Sequence, residues 1–561
     1  MRKLHYSPLW LSCCLLLTCG TGSSIPTPPE AAETKVTYRE PHRPQLHYSP
    51  PANWMNDPNG MVYHEGEYHL FYQYYPDSTV WGPMHWGHAV SSDLISWENL
   101  PVALYPDSLG YIFSGSAVVD SNNTSGLGEG GVSPLVAIFT YHDAEGQAAG
   151  SMDYQSQGIA YSNDQGRSWT KYQRNPVLPN PGDLPDFRDP KVSWDSASGQ
   201  WVMTLAVRDR ISFYGSDNLI DWRHLSDFGK ALGSHVGVWE CPDLFPLTVD
   251  GTDTERYVLL VSVNAGAPNG GTGTQYFVGD FDGVTFTPDA SFLGDVQDGK
   301  GVWLDYGRDN YAGVTWSDVP AADGRRLFLG WMSNWAYANA VPTEGWRGAM
   351  TGPRELTLHR TPAGYRVFST PIDELAELRQ SDFEIAKDDT QPGLLFEENF
   401  APARPAQPPL PDVQMPKELR LTYRLDPGST ARFGVALANG AGDSYRIGYD
   451  AGNGHYFSDR AQAGDHQFSD SFAEAIATAP RIVEGRTLDM HLLLDRASAE
   501  LFADGGATVI TEIFFPSEDF DRMRLFVEGE GVELVEGKGY SLASIWDGSM
   551  PAEASATKTE R

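Results

Sequence analysis

Short apolar runs separated by turn residues dominate the chain, and four of them are followed by the same kind of turn. The strand-like runs at 88–91, 159–161, 211–214 and 275–278 lead into Ser92-Asp93-Leu94-Ile95-Ser96-Trp97, Ser162-Asn163-Asp164-Gln165-Gly166-Arg167-Ser168-Trp169, Ser216-Asp217-Asn218-Leu219-Ile220-Asp221-Trp222 and a fainter Gly279-Asp280-Phe281-Asp282-Gly283-Val284-Thr285-Phe286. Ser, Asp, Asn and Gly close tight turns through their own side chains or through positive φ, so each copy reads as a β-hairpin ending on an aromatic residue. The spacing of the aromatic ends, roughly 50 to 70 residues, suits a four-stranded propeller blade with its loops. Four copies and a closing blade predict a five-bladed β-propeller over residues 45–366. A β-sandwich with similar hairpins is the alternative, and the aromatic recurring at one hairpin position argues against it.

Beyond 366 the pattern changes. A linker over 367–381 contains a short helical stretch at 372–379, and a Pro-rich segment runs through 402–416. Alternating segments such as Leu419-Arg420-Leu421-Thr422-Tyr423 and Met490-His491-Leu492-Leu493-Leu494 then predict strands with one buried face, and hence a β-sandwich over 382–548. Its expected role is structural support. The tail at 549–561 is expected to be loose.

Composition sharpens this picture. The 561 residues are 41% hydrophobic, enough for two ordinary domains or one large domain with an appendage, and 16 Trp, 26 Tyr and 57 Gly favour an all-β chain. A net charge of −34 would repel nucleic acid and anionic lipid but not a neutral ligand. The start, Met1-Arg2-Lys3 followed by an apolar run at 9–17, is expected to be an export signal over 1–19, too short to span a bilayer stably. Leu16-Leu17-Thr18-Cys19 resembles a lipoprotein processing site, with Thr18 a departure from the usual small residue. It predicts lipidation of Cys19, with plain secretion as the alternative, and a flexible tether over 20–44. Three of the four cysteines fall in the signal, leaving Cys241 and no internal disulfide. His85 and His88 lie three apart without further ligand spacing, so neither metal nor cofactor is expected.

Three acids stand in unusual company: Asp57 in Trp54-Met55-Asn56-Asp57-Pro58-Asn59-Gly60, Asp189 in Asp186-Phe187-Arg188-Asp189-Pro190, and Glu240 in Trp239-Glu240-Cys241-Pro242-Asp243. Each motif alone is an ordinary turn signal. A following proline is expected to hold the aspartates in extended backbone. On different blades, however, inner strands converge on one channel, and a set of carboxylates there is what glycosidic cleavage needs: one to attack the anomeric carbon, one to protonate the leaving oxygen. Cys241 lacks a histidine partner and is read as a neighbour that tunes Glu240, not as a nucleophile.

These motifs, with Phe71-Tyr72-Gln73-Tyr74, Trp81, His85-Trp86-Gly87-His88, Phe113-Ser114-Gly115-Ser116 and Ser333-Asn334-Trp335, resemble those of glycoside hydrolase family 32, the invertases, levanases and inulinases. The resemblance implies a five-bladed propeller followed by a β-sandwich, with Asp57 as nucleophile, Glu240 as acid/base and Asp189 as transition-state stabiliser. It further implies that Trp54, Asn56, Gln73, Trp81, Phe113, Ser114, Arg188 and Trp335 bind one fructosyl unit. The implied activity is retaining release of terminal β-D-fructose from levan or inulin and from sucrose; the chain is expected to be a monomer. A sucrose-specific invertase, an endo-levanase and a non-catalytic fructan-binding protein are the alternatives.

Overall fold

The computed structural model describes residues 38–385, 394–399 and 415–546. The expected signal, the lipidation site Cys19 and the tail at 549–561 lie outside these residues.

Five antiparallel sheets follow one another along the chain, each running from an inner strand outward in sequence order. Their inner strands are Asn53–His64, Tyr111–Val119, Phe187–Asp195, Trp239–Thr248 and Tyr311–Thr315. Each inner strand lies against those of the neighbouring sheets, and the fifth lies against the first. Backbone bonds join the first sheet to the segment that carries the fifth: Trp346–Arg347 pairs in parallel with Asn53 and Trp54, and Ser317 donates to Met61 O and accepts from Tyr63 N. The arrangement is propeller-like. Its apolar residues are buried between adjacent sheets, as in the cluster of Phe213, Trp239, Phe245, Phe277 and Phe328.

All four sequence-derived hairpins join the third and fourth strands of their sheets. Their recurrence has a common cause in an acidic or amide side chain that caps the turn. Asp93 Oδ1 accepts from the amides of Ile95 and Ser96, Asn218 Oδ1 from Ile220 and Asp221, Asp282 Oδ1 from Val284 and Thr285, and Asp164 Oδ1 from Ser168. The closing indoles of Trp169 and Trp222 donate back to Gly166 O and Leu219 O. The fifth sheet turns instead on Thr361-Pro362-Ala363-Gly364, which is why no fifth copy is visible in the sequence.

Two six-stranded sheets then form the sandwich. The alternation seen in the sequence is real: Leu419, Leu421 and Tyr423 point inward and meet Phe433, Val435 and Ile447 of the other sheet. Three expectations need correction. The strand Gly364–Pro371 carries the fifth sheet past 366, because Arg354–Thr361 pairs with it along its whole length. The short helix is a 3₁₀ turn, Asp373–Leu378. Residues 38–44 are not a free tether either. Arg43 is fully buried, donating to Pro50 O and lying over the Trp346 ring, and Tyr38 stacks on Trp546 at 3.7 Å.

Charge is buried where the sandwich meets the fifth sheet. His47 bridges Asp495 and Glu500, and Arg354 joins Glu500 to Asp305. Arg460 pairs with Asp309 and Glu512, and Arg308 with Glu512. Each charge has an opposite partner, the condition under which buried ions are tolerated.

Candidate active site

Every inner strand breaks register near one end: between Asn56 and Pro58, Ile112 and Gly115, Arg188 and Lys191, Glu240 and Asp243, and Tyr311 and Val314. A bulge leaves residues unpaired and re-aims their side chains. Asp57, Phe113, Ser114, Asp189 and Cys241 are among the residues so released. Three of the bulges contain or adjoin Pro58, Pro190 and Pro242, which have no N–H to lose from a ladder.

The proline rule used on the sequence fails here in an informative way. Asp189 and Cys241, both followed by proline, adopt left-handed backbone with φ of 64° and 44° instead of extended backbone. Such conformations cost on the order of 1–3 kcal/mol and persist where surroundings enforce them. Two bonds enforce them: Asp189 N donates to Thr140 Oγ1 and Cys241 N to Asp189 Oδ2, both at 3.0 Å.

The bulges open on a cavity of about 460 Å³ lined by Asp57, Asp189 and Glu240 together. Asn56 Nδ2 and Ser114 Oγ each donate to the Asp57 carboxylate over 2.9 Å, one to each oxygen. Burial raises the Asp57 pKa and the charge of Glu240 adds to it, against the hydrogen bonds from Asn56 and Ser114. Burial likewise pushes Asp189 up, with Arg188 opposing and the other two carboxylates reinforcing. Glu240 Oε1 accepts from Arg188 Nε and Nη2 at 3.1 and 2.9 Å, and Oε2 accepts from the Tyr311 hydroxyl. The Arg188 guanidinium is shared by three carboxylates, those of Glu240, Asp186 and Asp189, at 2.9, 2.6 and 3.9 Å. The Cys241 thiol lies 3.7 Å from both Asp57 Oδ2 and Asp189 Oδ2, and burial with these charges raises its pKa.

Seven of the eight expected binding residues line this cavity: Asn56, Gln73, Trp81, Phe113, Ser114, Arg188 and Trp335. Trp54 does not. It is fully buried behind the wall, stacks on Trp335 at 5.7 Å and donates from Nε1 to Asn56 Oδ1, so it orients a lining amide. The sequence reading missed His142, Gln147, Gln155, Asp186 and Asn264, which also line the cavity, and Tyr311. Only Asp186 carried a signal, its place in the Asp186-Phe187-Arg188-Asp189 motif, and Arg188 Nη1 donates to it over 2.6 Å. His142 is held neutral, its pKa pushed down to about 4 by burial, and it stacks on Phe113 at 4.2 Å. Among the described residues no cluster of His, Cys, Asp and Glu could hold a metal ion.

A carboxylate-rich cavity walled by amides and aromatic rings suits acid–base and nucleophilic work on a neutral, hydroxyl-rich ligand. The chain belongs to glycosyl hydrolases family 32: the family's N-terminal domain matches residues 47–371 and its C-terminal domain residues 376–546. It is 47% identical to a levanase of Bacillus subtilis over 94% of this chain and 74% of that protein. It is 37% identical to an extracellular exo-inulinase of Aspergillus awamori over 91% of this chain and 96% of that one. The crystal structure of exo-inulinase from that fungus superposes with a TM-score of 0.80 at 34% identity, covering 91% of this chain and 100% of the other.

Proposed function

We propose that this chain is a retaining β-fructosidase that releases terminal β-D-fructose from levan or inulin and from sucrose. Asp57 is the nucleophile, Glu240 the general acid and base, and Asp189 the carboxylate that holds the fructosyl hydroxyls as charge develops. The observation that carries this reading is the meeting of three acids, from three separate inner strands, on one cavity. The levanase and exo-inulinase relatives support the substrate class.

In the first step an Asp57 oxygen bonds to the anomeric carbon while Glu240 gives its proton to the departing glycosidic oxygen, and that carbon–oxygen bond breaks. In the second, Glu240 takes a proton from water, the water oxygen bonds to the same carbon, and the ester to Asp57 breaks. Two displacements retain configuration. Arg188 and Tyr311 hold the ionised Glu240 between the steps. Asn56, Gln73, Ser114 and Arg188 supply polar contacts, and Trp81, Phe113 and Trp335 the apolar walls.

We read the five sheets as five blades of one closed propeller, with the sandwich following it; the contact of fifth and first inner strands supports closure. The chain is taken to be an exported monomer, held at a membrane by lipid on Cys19. The extracellular relatives support export, and loss of palmitate labelling in Cys19→Ala tests the anchor.

The deciding experiment is separate incubation with sucrose, inulin and levan, with products resolved by length. Fructose alone from all three is expected; a ladder of oligomers would sink the exo reading, and no products at all would leave a fructan-binding protein.

A further inference from the structure

Trp335 stands in a tight turn whose two sides face different parts of the molecule. Asn334 O accepts from the amides of Tyr337 and Ala338 at 3.1 and 2.9 Å, and Asn334 Oδ1 accepts from Ala336 N at 3.0 Å. On one side of the turn Trp335 lines the catalytic cavity. On the other, the buried Tyr337 points at the sandwich, where its ring meets Phe472 edge-on at 4.9 Å.

The sandwich grips this turn with one side chain. Arg460, fully buried, donates from Nη2 to the Tyr337 hydroxyl at 3.0 Å and from Nη1 to Asp309 Oδ2 at 2.7 Å. Tyr337 in turn donates to the other oxygen of Asp309. The base of the turn is held as well, because Asn334 Nδ2 donates to Arg308 O at 2.8 Å and Arg308 pairs with Glu512 of the sandwich. The sandwich strand Thr508–Ile513 lies on the segment carrying Asp309 so closely that a Cβ on Gly307 would sit 2.0 Å from Thr511 O. The same loop reaches the other aromatic wall: Asn339 Oδ1 accepts from Trp81 N at 2.9 Å.

We infer that Arg460, a residue of the sandwich, is a positioning residue of the active site: through Tyr337 and Asp309 it fixes the turn that holds Trp335 against the cavity. The sandwich therefore sets how tightly the fructosyl unit is gripped, while leaving the three acids, which stand on other strands, in place. This rests on the β-fructosidase reading above. A planar guanidinium can bridge a hydroxyl and a carboxylate at fixed spacing, and lysine cannot reproduce that fork.

The test compares Tyr337→Phe and Arg460→Lys with a control, Asp495→Asn. The control weakens the same domain interface at the N-terminal strap, through Gln45, Leu46 and His47, without touching the turn. Tyr337→Phe keeps the ring packing and removes only the hydroxyl, so it carries the test if Arg460→Lys fails to fold. On sucrose, KM is expected to rise about three- to tenfold in Tyr337→Phe, a loss on the scale of one hydrogen bond, with kcat within about twofold of the parent. Asp495→Asn is expected to lower Tm and leave KM unchanged. Unchanged KM in the folded turn variants, or an equal rise in the control, overturns the proposal. Failure of the parent to cleave any fructoside overturns the underlying reading instead.

Discussion

The amide of Cys241 donates to Oδ2 of Asp189 over 3.0 Å, so the residue that follows Glu240 on the fourth inner strand fixes the carboxylate of the third. One hydrogen bond thus ties the carboxylate of Asp189 to the strand that carries Glu240. Preorganisation of this sort places charge without reorganisation during the reaction.

On the proposed roles, removing Asp57 or Glu240 should cut turnover severely, for different reasons. Asp57→Ala and Glu240→Ala are each expected to lower kcat by about 10²- to 10⁴-fold. Azide should restore activity on an activated fructoside in Glu240→Ala alone, since there the nucleophile survives and only the proton donor is missing. Product release rates with and without azide check this, and near-normal hydrolysis by either variant refutes its assigned role.

Ser114 stabilises the ionised form of Asp57 by donating to Oδ2. Ser114→Ala should therefore raise the Asp57 pKa and move the acid limb of kcat/KM to higher pH. On the acid side, activity should drop roughly tenfold, the worth of one hydrogen bond to a charged group. A pH profile with an unmoved acid limb would show that Asp57 is not the group titrating there.

His47 predicts how stability falls with alkali. Burial opposes its charge, yet the bonds it donates to Asp495 and Glu500 push its pKa up to about 9 from 6.5. A raised pKa gives stabilisation that is complete below 6.5 and lost as pH rises through about 9, worth about 3 kcal/mol. For Glu500, burial is outweighed by Arg354 and His47, which hold its pKa down to about 2, so its contribution disappears only in strong acid. The parent should lose Tm between pH 6.5 and 9, and His47→Gln should start lower and lose less over that interval. Parallel melting curves for the two proteins across this range would refute the assignment.

Cys241 should resist alkylation in the folded protein. The thiolate is the reactive form, and burial beside Asp189 and Asp57 keeps the thiol protonated. Mass spectrometry after iodoacetamide at pH 8 is expected to show labelling only after unfolding in urea.

The hairpins were legible because their turns are closed by local side chains, so the signal sits in consecutive residues such as Asp93 to Ser96. The acids were legible because Asp57 and Asp189 each precede a proline and Glu240 shares a short motif with another. What the sequence hid is what depends on closure of the ring. Tyr311, Gln155 and Asn264 sit in unremarked strands and loops and join the site only when distant strands meet. Trp54 was misplaced because an aromatic beside an acid reads the same whether it faces the cavity or the core behind it. The left-handed backbone at Asp189 was hidden too, since the tertiary bonds to Thr140 and Cys241 override the local proline preference.

The register breaks at the ends of the inner strands separate what folds the protein from what it acts with. Wall residues such as Phe113 lie outside the ladder, so exchanging them leaves every sheet hydrogen bond intact. Reshaping specificity by substitution at these seats should therefore meet little resistance from folding, and such positions are the natural ones for a combinatorial library seeking new sugar preferences.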